Sequence, residues 1–158
     1  MLFFLFTLLL PFIVMPLNPK RLTFIVDDNE DYCELLKRAF ADNYPNCRLE
    51  FFFSSQALLD RLEEVGGTLP DLIMLDLMMP ELDGLATLTK LKQSQRLKRI
   101  PTVIVSVSDS PEDINNCYHE GVNAYVMKPA RLDDLRYMVD VICRYWLDTA
   151  QLPSQRWV

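Results

Sequence analysis

Five side chains able to do chemistry sit where a short apolar run turns polar. Asp27 and Asp28 follow Leu22-Thr-Phe-Ile-Val26, Asp76 follows Asp71-Leu-Ile-Met-Leu75, Ser106 ends Pro101-Thr-Val-Ile-Val-Ser106, and Lys128 follows Ala124-Tyr-Val-Met127. If the runs are parallel strands of one sheet, these residues share its carboxyl edge, where ligands of open α/β sheets bind. Three carboxylates converging there repel one another, which raises pKa values or demands a cation. A hard divalent ion with oxygen ligands is the natural neutraliser, magnesium first and manganese in its place.

The segments between the runs have the period of helices. Residues 30–42 place Leu35, Leu36, Ala39 and Phe40 on one face, and Leu58, Leu59 and Leu62 recur after a strand at Arg48–Phe53, with Ser54 or Ser55 as cap and Gly66-Gly67 as stop. A helix over 84–94 carries Leu85, Leu88 and Leu91; another opens at Pro111 and closes near Gly121; a last one runs from about Arg131 to Asp148. Five buried strands separated by helices require crossover connections, so the expected fold is a doubly wound α/β sandwich with helices on both faces.

Composition narrows the classes. With half of its 158 residues apolar and a quarter charged, the chain has the make-up of one ordinary globular domain. Its net charge of −6 argues against a nucleic-acid partner. Cys33, Cys47, Cys117 and Cys143 form no CxxC pair, so buried, reduced thiols in the cytoplasm are expected. Taken singly, the chemical residues have plain readings: Asp27 and Asp28 as helix caps, Ser106 as a strand-end hydroxyl, Lys128 as a solvated cation, Tyr125 as a strand aromatic. The one histidine, His119, lies in a helix and is assigned no role.

Taken together, FIVDDNED, LIMLDLMMPELDG, VIVSVSDS and AYVMKP stand in the order and spacing of a known family. From Leu22 to about Leu147 the chain resembles the receiver domain of two-component response regulators, to which the chemotaxis regulator CheY belongs. The resemblance implies a flavodoxin-like five-stranded parallel sheet of order 2-1-3-4-5 and a switch rather than an enzyme. It makes Asp76 the phosphoacceptor, and Asp27, Asp28, Asp76 and the backbone carbonyl of Met78 the metal ligands. It places Ser106 and Lys128 on the phosphoryl oxygens, Ser106 and Tyr125 in the conformational switch, and a cis peptide before Pro129. The chemistry agrees, because phosphoryl transfer asks for in-line positioning and charge neutralisation.

The departures from the family pattern are informative. Met78 and Ser108, each two residues past a site residue, occupy positions that tune phosphate lifetime in the family, and Met78 implies slow self-hydrolysis. Ala130 replaces the Phe common after Lys-Pro. The expected partners are a histidine kinase or a histidine phosphotransfer protein. The LKRIP and YWLDTAQLP stretches also resemble small regulators of phytochrome-type kinases, which often form homodimers. The alternative is a magnesium-dependent phosphohydrolase of the haloacid dehalogenase type. Such an enzyme wants a second Asp where Met78 stands.

Outside the expected receiver domain at 20–150 lie residues 1–17, MLFFLFTLLLPFIVMPL, and the tail 151–158, too short for a DNA-binding module. Pro11 and Pro16 interrupt the apolar run, and it lacks the charged start and cleavage site of a secretory signal. A start codon assigned too early, with translation from Met15, is the preferred reading; a membrane anchor or a packed extension are the others.

Overall fold

The computed structural model describes residues 20–81 and 83–153. The expectations for residues 1–17 and for the end of the tail lie outside them. Five strands, β1 (Leu22–Val26), β2 (Arg48–Phe52), β3 (Leu72–Leu75), β4 (Thr102–Ser106) and β5 (Ala124–Met127), pair in parallel in the order β2-β1-β3-β4-β5. They alternate with α1 (Glu30–Asn43), α2 (Ser55–Glu63), α3 (Gly84–Gln93), α4 (Pro111–His119) and α5 (Leu132–Cys143), whose last turn continues as a π-helical segment, Arg144–Thr149. No helix among the described residues is long and apolar enough to cross a membrane.

Side-chain alternation along the strands splits the core in two. Phe24, Val26, Ile73, Leu75 and Ile104 pack with Leu58 and Leu62 of α2, Leu88 and Leu91 of α3, and Cys117 of α4. Ile25, Leu72, Met74, Val103 and Val105 face the opposite way, against Leu36, Ala39 and Phe40 of α1 and Leu135, Val139 and Ile142 of α5. The central strands β1, β3 and β4 are wholly buried, as apolar runs covered on both faces must be.

Several expectations need correction. β2 and β5 are edge strands and only half-buried, since one long side of each lacks a neighbour. Leu35 is exposed and Cys33 takes its place in the core: around the helix Cys33, Leu36, Ala39 and Phe40 span one stripe, and Leu35 falls just outside its edge. Cys47 is only partly buried, whereas the other three thiols are buried; all four are free. No described peptide bond is cis, so Lys128–Pro129 is trans, the form an X–Pro amide favours by about 0.5–1 kcal/mol when nothing else decides.

Helix ends follow local chemistry. Asn29 caps α1 by accepting from the Tyr32 N–H, and Ser54, not Ser55, caps α2 by accepting from Ala57. Asp83 caps α3 and Ser110 caps α4 ahead of Pro111 at its first turn. Gly121 follows α4 at φ +89°, a left-handed conformation that costs glycine little. Glu81 adopts φ 66° in the β3–α3 loop, a region uncommon for a residue with a side chain.

Candidate functional site

The sheet register explains why the chemical residues meet. Val26 pairs with Leu75 and Leu75 with Ile104, so β1 and β3 end level with each other. The ladder then continues past the strand ends. Asp76 N–H donates to the Val26 carbonyl at 2.8 Å, Asp27 N–H to Phe52 at 3.0 Å, and Lys128 N–H to Ser106 at 2.7 Å. These backbone bonds fix the bases of Asp27, Asp76 and Lys128 before any side-chain contact is made.

The side chains converge. Asp27, Asp28 and Asp76 each bring a carboxylate oxygen within 4.8 Å of the others. Asp27 and Asp76 are buried, at 3% and 5% exposure, while Asp28 faces solvent. Lys128 Nζ lies 2.6 Å from Asp27 Oδ2 and 3.5 Å from Asp76 Oδ2. Asp76 Oδ1 accepts from the Met78 N–H at 3.3 Å, and Asp27 Oδ1 from the Asn29 N–H at 2.9 Å. Capping of α1 therefore falls to Asn29, which frees Asp27 and Asp28 from the plain reading as caps.

Burial raises the pKa of Asp76 and the Asp27 carboxylate raises it further; Lys128 and the Met78 N–H pull the other way without prevailing. Since its pKa rises on folding, the native state holds more protons between the unfolded and folded values, and stability falls as pH climbs through that window. Asp76→Asn is thus expected to raise the unfolding midpoint of the metal-free protein at neutral pH. The gain should vanish well below the usual carboxylate range. Calorimetry across pH checks this; an Asn variant that unfolds earlier at neutral pH contradicts it.

Ser106 is fully buried at the end of β4, and its Oγ accepts from the Ser108 N–H at 3.2 Å. The Ser108 hydroxyl is engaged in the cap of α4: it donates to Asp113 Oδ2 at 2.5 Å and accepts from the Ser110 N–H at 3.3 Å. Tyr125 is half-buried, and its hydroxyl donates to the Ser108 carbonyl at 2.8 Å, so ring and strand-end serine meet through Ser108. Met78 is 57% exposed two residues past Asp76, and His119 is exposed on α4.

One residue escaped the sequence reading, as did the contact made by a second. Tyr32, in the first turn of α1, sets its ring 4.3 Å from Lys128 Nζ. Its signal was an aromatic four residues past the acidic pair, which helix geometry turns back over the strand end. Gly84 lies against the backbone of Asp76 and Leu77. The receiver resemblance makes Pro80 and Gly84 shape the loop after Asp76, and the close approach is how Gly84 does so.

The donor set suits a divalent cation. Buried oxygens that repel one another, with one carboxylate open to solvent for entry, are what a hard ion with oxygen ligands requires.

A 2-1-3-4-5 parallel sheet with an acidic cluster and a lysine at its carboxyl edge defines a receiver-type phospho-switch scaffold. The chain belongs to the response regulator receiver domain family, whose model matches residues 23–140. It is 38% identical over 133 residues to the probable methanogenesis regulatory protein FilR2 of Methanothrix harundinacea, covering 82% of this chain and 86% of that one. It is 32% identical over 141 residues to the response regulator Rcp1 of Synechocystis, covering 87% and 96%. Among solved structures it resembles the phosphorylated cyanobacterial phytochrome response regulator RcpA, with TM-score 0.80, 35% identity and coverage of 85% and 99%. The Mn(2+)-bound form of Rcp1 matches with TM-score 0.78, 30% identity and coverage of 85% and 99%. The protein is accordingly a receiver of two-component signalling, a family of signalling switches that bind divalent metal and interact with histidine kinases and phosphotransfer proteins.

Proposed function

We propose that Asp76 accepts a phosphoryl group from a phosphohistidine on a kinase or phosphotransfer protein, and that the phosphorylated surface binds a protein partner in the cytoplasm. The observation that carries this reading is Asp76 itself, buried at a strand end between a second carboxylate and an ammonium. An Asp76 oxygen attacks phosphorus, the P–N bond of the donor breaks, and the imidazole leaves with the electron pair and takes up a proton. Asp27, Asp28, Asp76 and the Met78 carbonyl would hold magnesium, which supplies positive charge against the phosphoryl oxygens. Lys128 neutralises one phosphoryl oxygen as a point charge and the Ser106 hydroxyl donates to another. Tyr125, tied to Ser108, turns with Ser106 and carries the change to the surface around α4, β5 and α5.

The phosphohydrolase alternative finds no support at the site, since the position where it needs an acid holds Met78. Phosphoramidate, a small P–N donor, tests the proposal. Intact mass should show one phosphoryl adduct that forms with magnesium and is absent with excess chelator. An adduct indifferent to the metal contradicts it.

Met78 should lengthen the life of the acyl phosphate, because a thioether cannot orient an attacking water. Met78→Asn is expected to speed loss of the adduct severalfold, up to about tenfold, by placing a polar group beside it. Equal decay rates for the two proteins would sink this.

A further inference from the structure

Lys128 stands in a box with three walls. Two are carboxylates, at 2.6 Å and 3.5 Å, and the third is the face of Tyr32, its ring centroid 4.3 Å from Nζ. The ammonium is largely withdrawn from water, with its side chain 11% exposed, and there a cation–π contact is stronger than at a surface. The ring is fixed from behind. Asp27 Oδ1 holds the Asn29 N–H, and the Asn29 side chain holds the Tyr32 N–H, so the loop that carries the acidic pair also sets the aromatic. The ring also packs against the core formed by α1 and α5.

The wall matters because Lys128 and a cation compete for the same carboxylate. Asp27 is at once the closest partner of the ammonium and one of three acids able to hold a metal ion. Whatever draws Asp27 toward a cation leaves a lysine on a flexible four-carbon stem without its nearest anchor. An aromatic face attracts the ammonium through its quadrupole, cannot bind a hard cation in the carboxylates' place and carries no charge.

We propose that Tyr32 is a positioning residue for Lys128, its ring holding the ammonium beside Asp76 when Asp27 turns to the metal. This rests on Asp76 being the acceptor. The hydroxyl takes no part: Tyr32 Oη is buried without a hydrogen-bond partner, so phenylalanine should serve as well and should unfold at a higher temperature.

The test uses the full chain, magnesium and saturating phosphoramidate, with phenylalanine analogues of increasing ring fluorination at position 32. Fluorine drains the π face with little change of shape. Tyr32→Phe should keep the wild-type phosphorylation rate within about twofold, and the rate should fall stepwise with each added fluorine, by about three- to thirtyfold in all. In the metal-free protein, the Lys128 CεH2 protons should resonate upfield under the ring current and return to an ordinary position in Tyr32→Leu. A rate indifferent to fluorine, or an unshifted Lys128 resonance, overturns the proposal. Absence of any adduct on the wild-type protein overturns the acceptor reading and this inference with it.

Discussion

Lys128→Met should slow phosphorylation by about 10²–10³-fold, the loss seen when one preorganised charge-stabilising group is removed from a transition state. The methionine keeps the length and apolar body of the stem but deletes the charge. Two buried carboxylates then face each other with nothing between them, since Lys128 Nζ now sits 2.6 Å from one and 3.5 Å from the other. Removing one partner of a buried pair strands the other, so the metal-free variant should lose about 3 kcal/mol of stability. Magnesium should return part of that, by binding the native carboxylates only. Denaturant titration with and without the ion, beside the phosphoramidate rate, measures both effects. A rate within threefold of wild type would remove Lys128 from the chemistry.

Gly84→Ala should damage the fold and the site together. A β-carbon on Gly84 would lie 2.2 Å from the Asp76 carbonyl oxygen and 2.6 Å from Leu77 Cα, both backbone atoms that cannot rotate away. Gly84 also donates its N–H to the Leu77 carbonyl at 2.9 Å, closing the turn from β3 into α3. One methyl group must therefore push α3 off the strand end or move the backbone that carries Asp76. Overpacking of this kind costs about 3 kcal/mol. A shift of order 1 Å in an acceptor costs about a hundredfold in rate. Thermal unfolding and phosphorylation of the variant should both show the loss; a variant with wild-type stability would mean that α3 does not press on the acceptor loop.

Much of this was legible in the chain because the fold repeats one unit. Each buried strand is a short apolar run, the first four helices each have a capping side chain, and parallel pairing forces the polar residues after the runs onto one edge. Asp27, Asp76 and Lys128 could be named without coordinates for that reason, as could α4 from Pro111. What escaped depended on angle and neighbours. Leu35 and Cys33 differ only in which way a helical turn faces, and Ser54 and Ser55 in which hydroxyl meets an open N–H. The half-buried state of β5 follows from its place at the sheet edge, which an apolar run does not announce. Tyr32 matters through a single close approach across elements, as does the backbone contact by which Gly84 shapes the acceptor loop, and spacing alone cannot report such approaches.

The acceptor itself can be read chemically. Borohydride reduces an aspartyl phosphate to homoserine, so the phosphorylated full-length protein, reduced and digested, should carry homoserine at position 76 and aspartate at 27 and 28. Homoserine at 27 or 28 with aspartate retained at 76 would contradict the assignment of Asp76 as the phosphoacceptor.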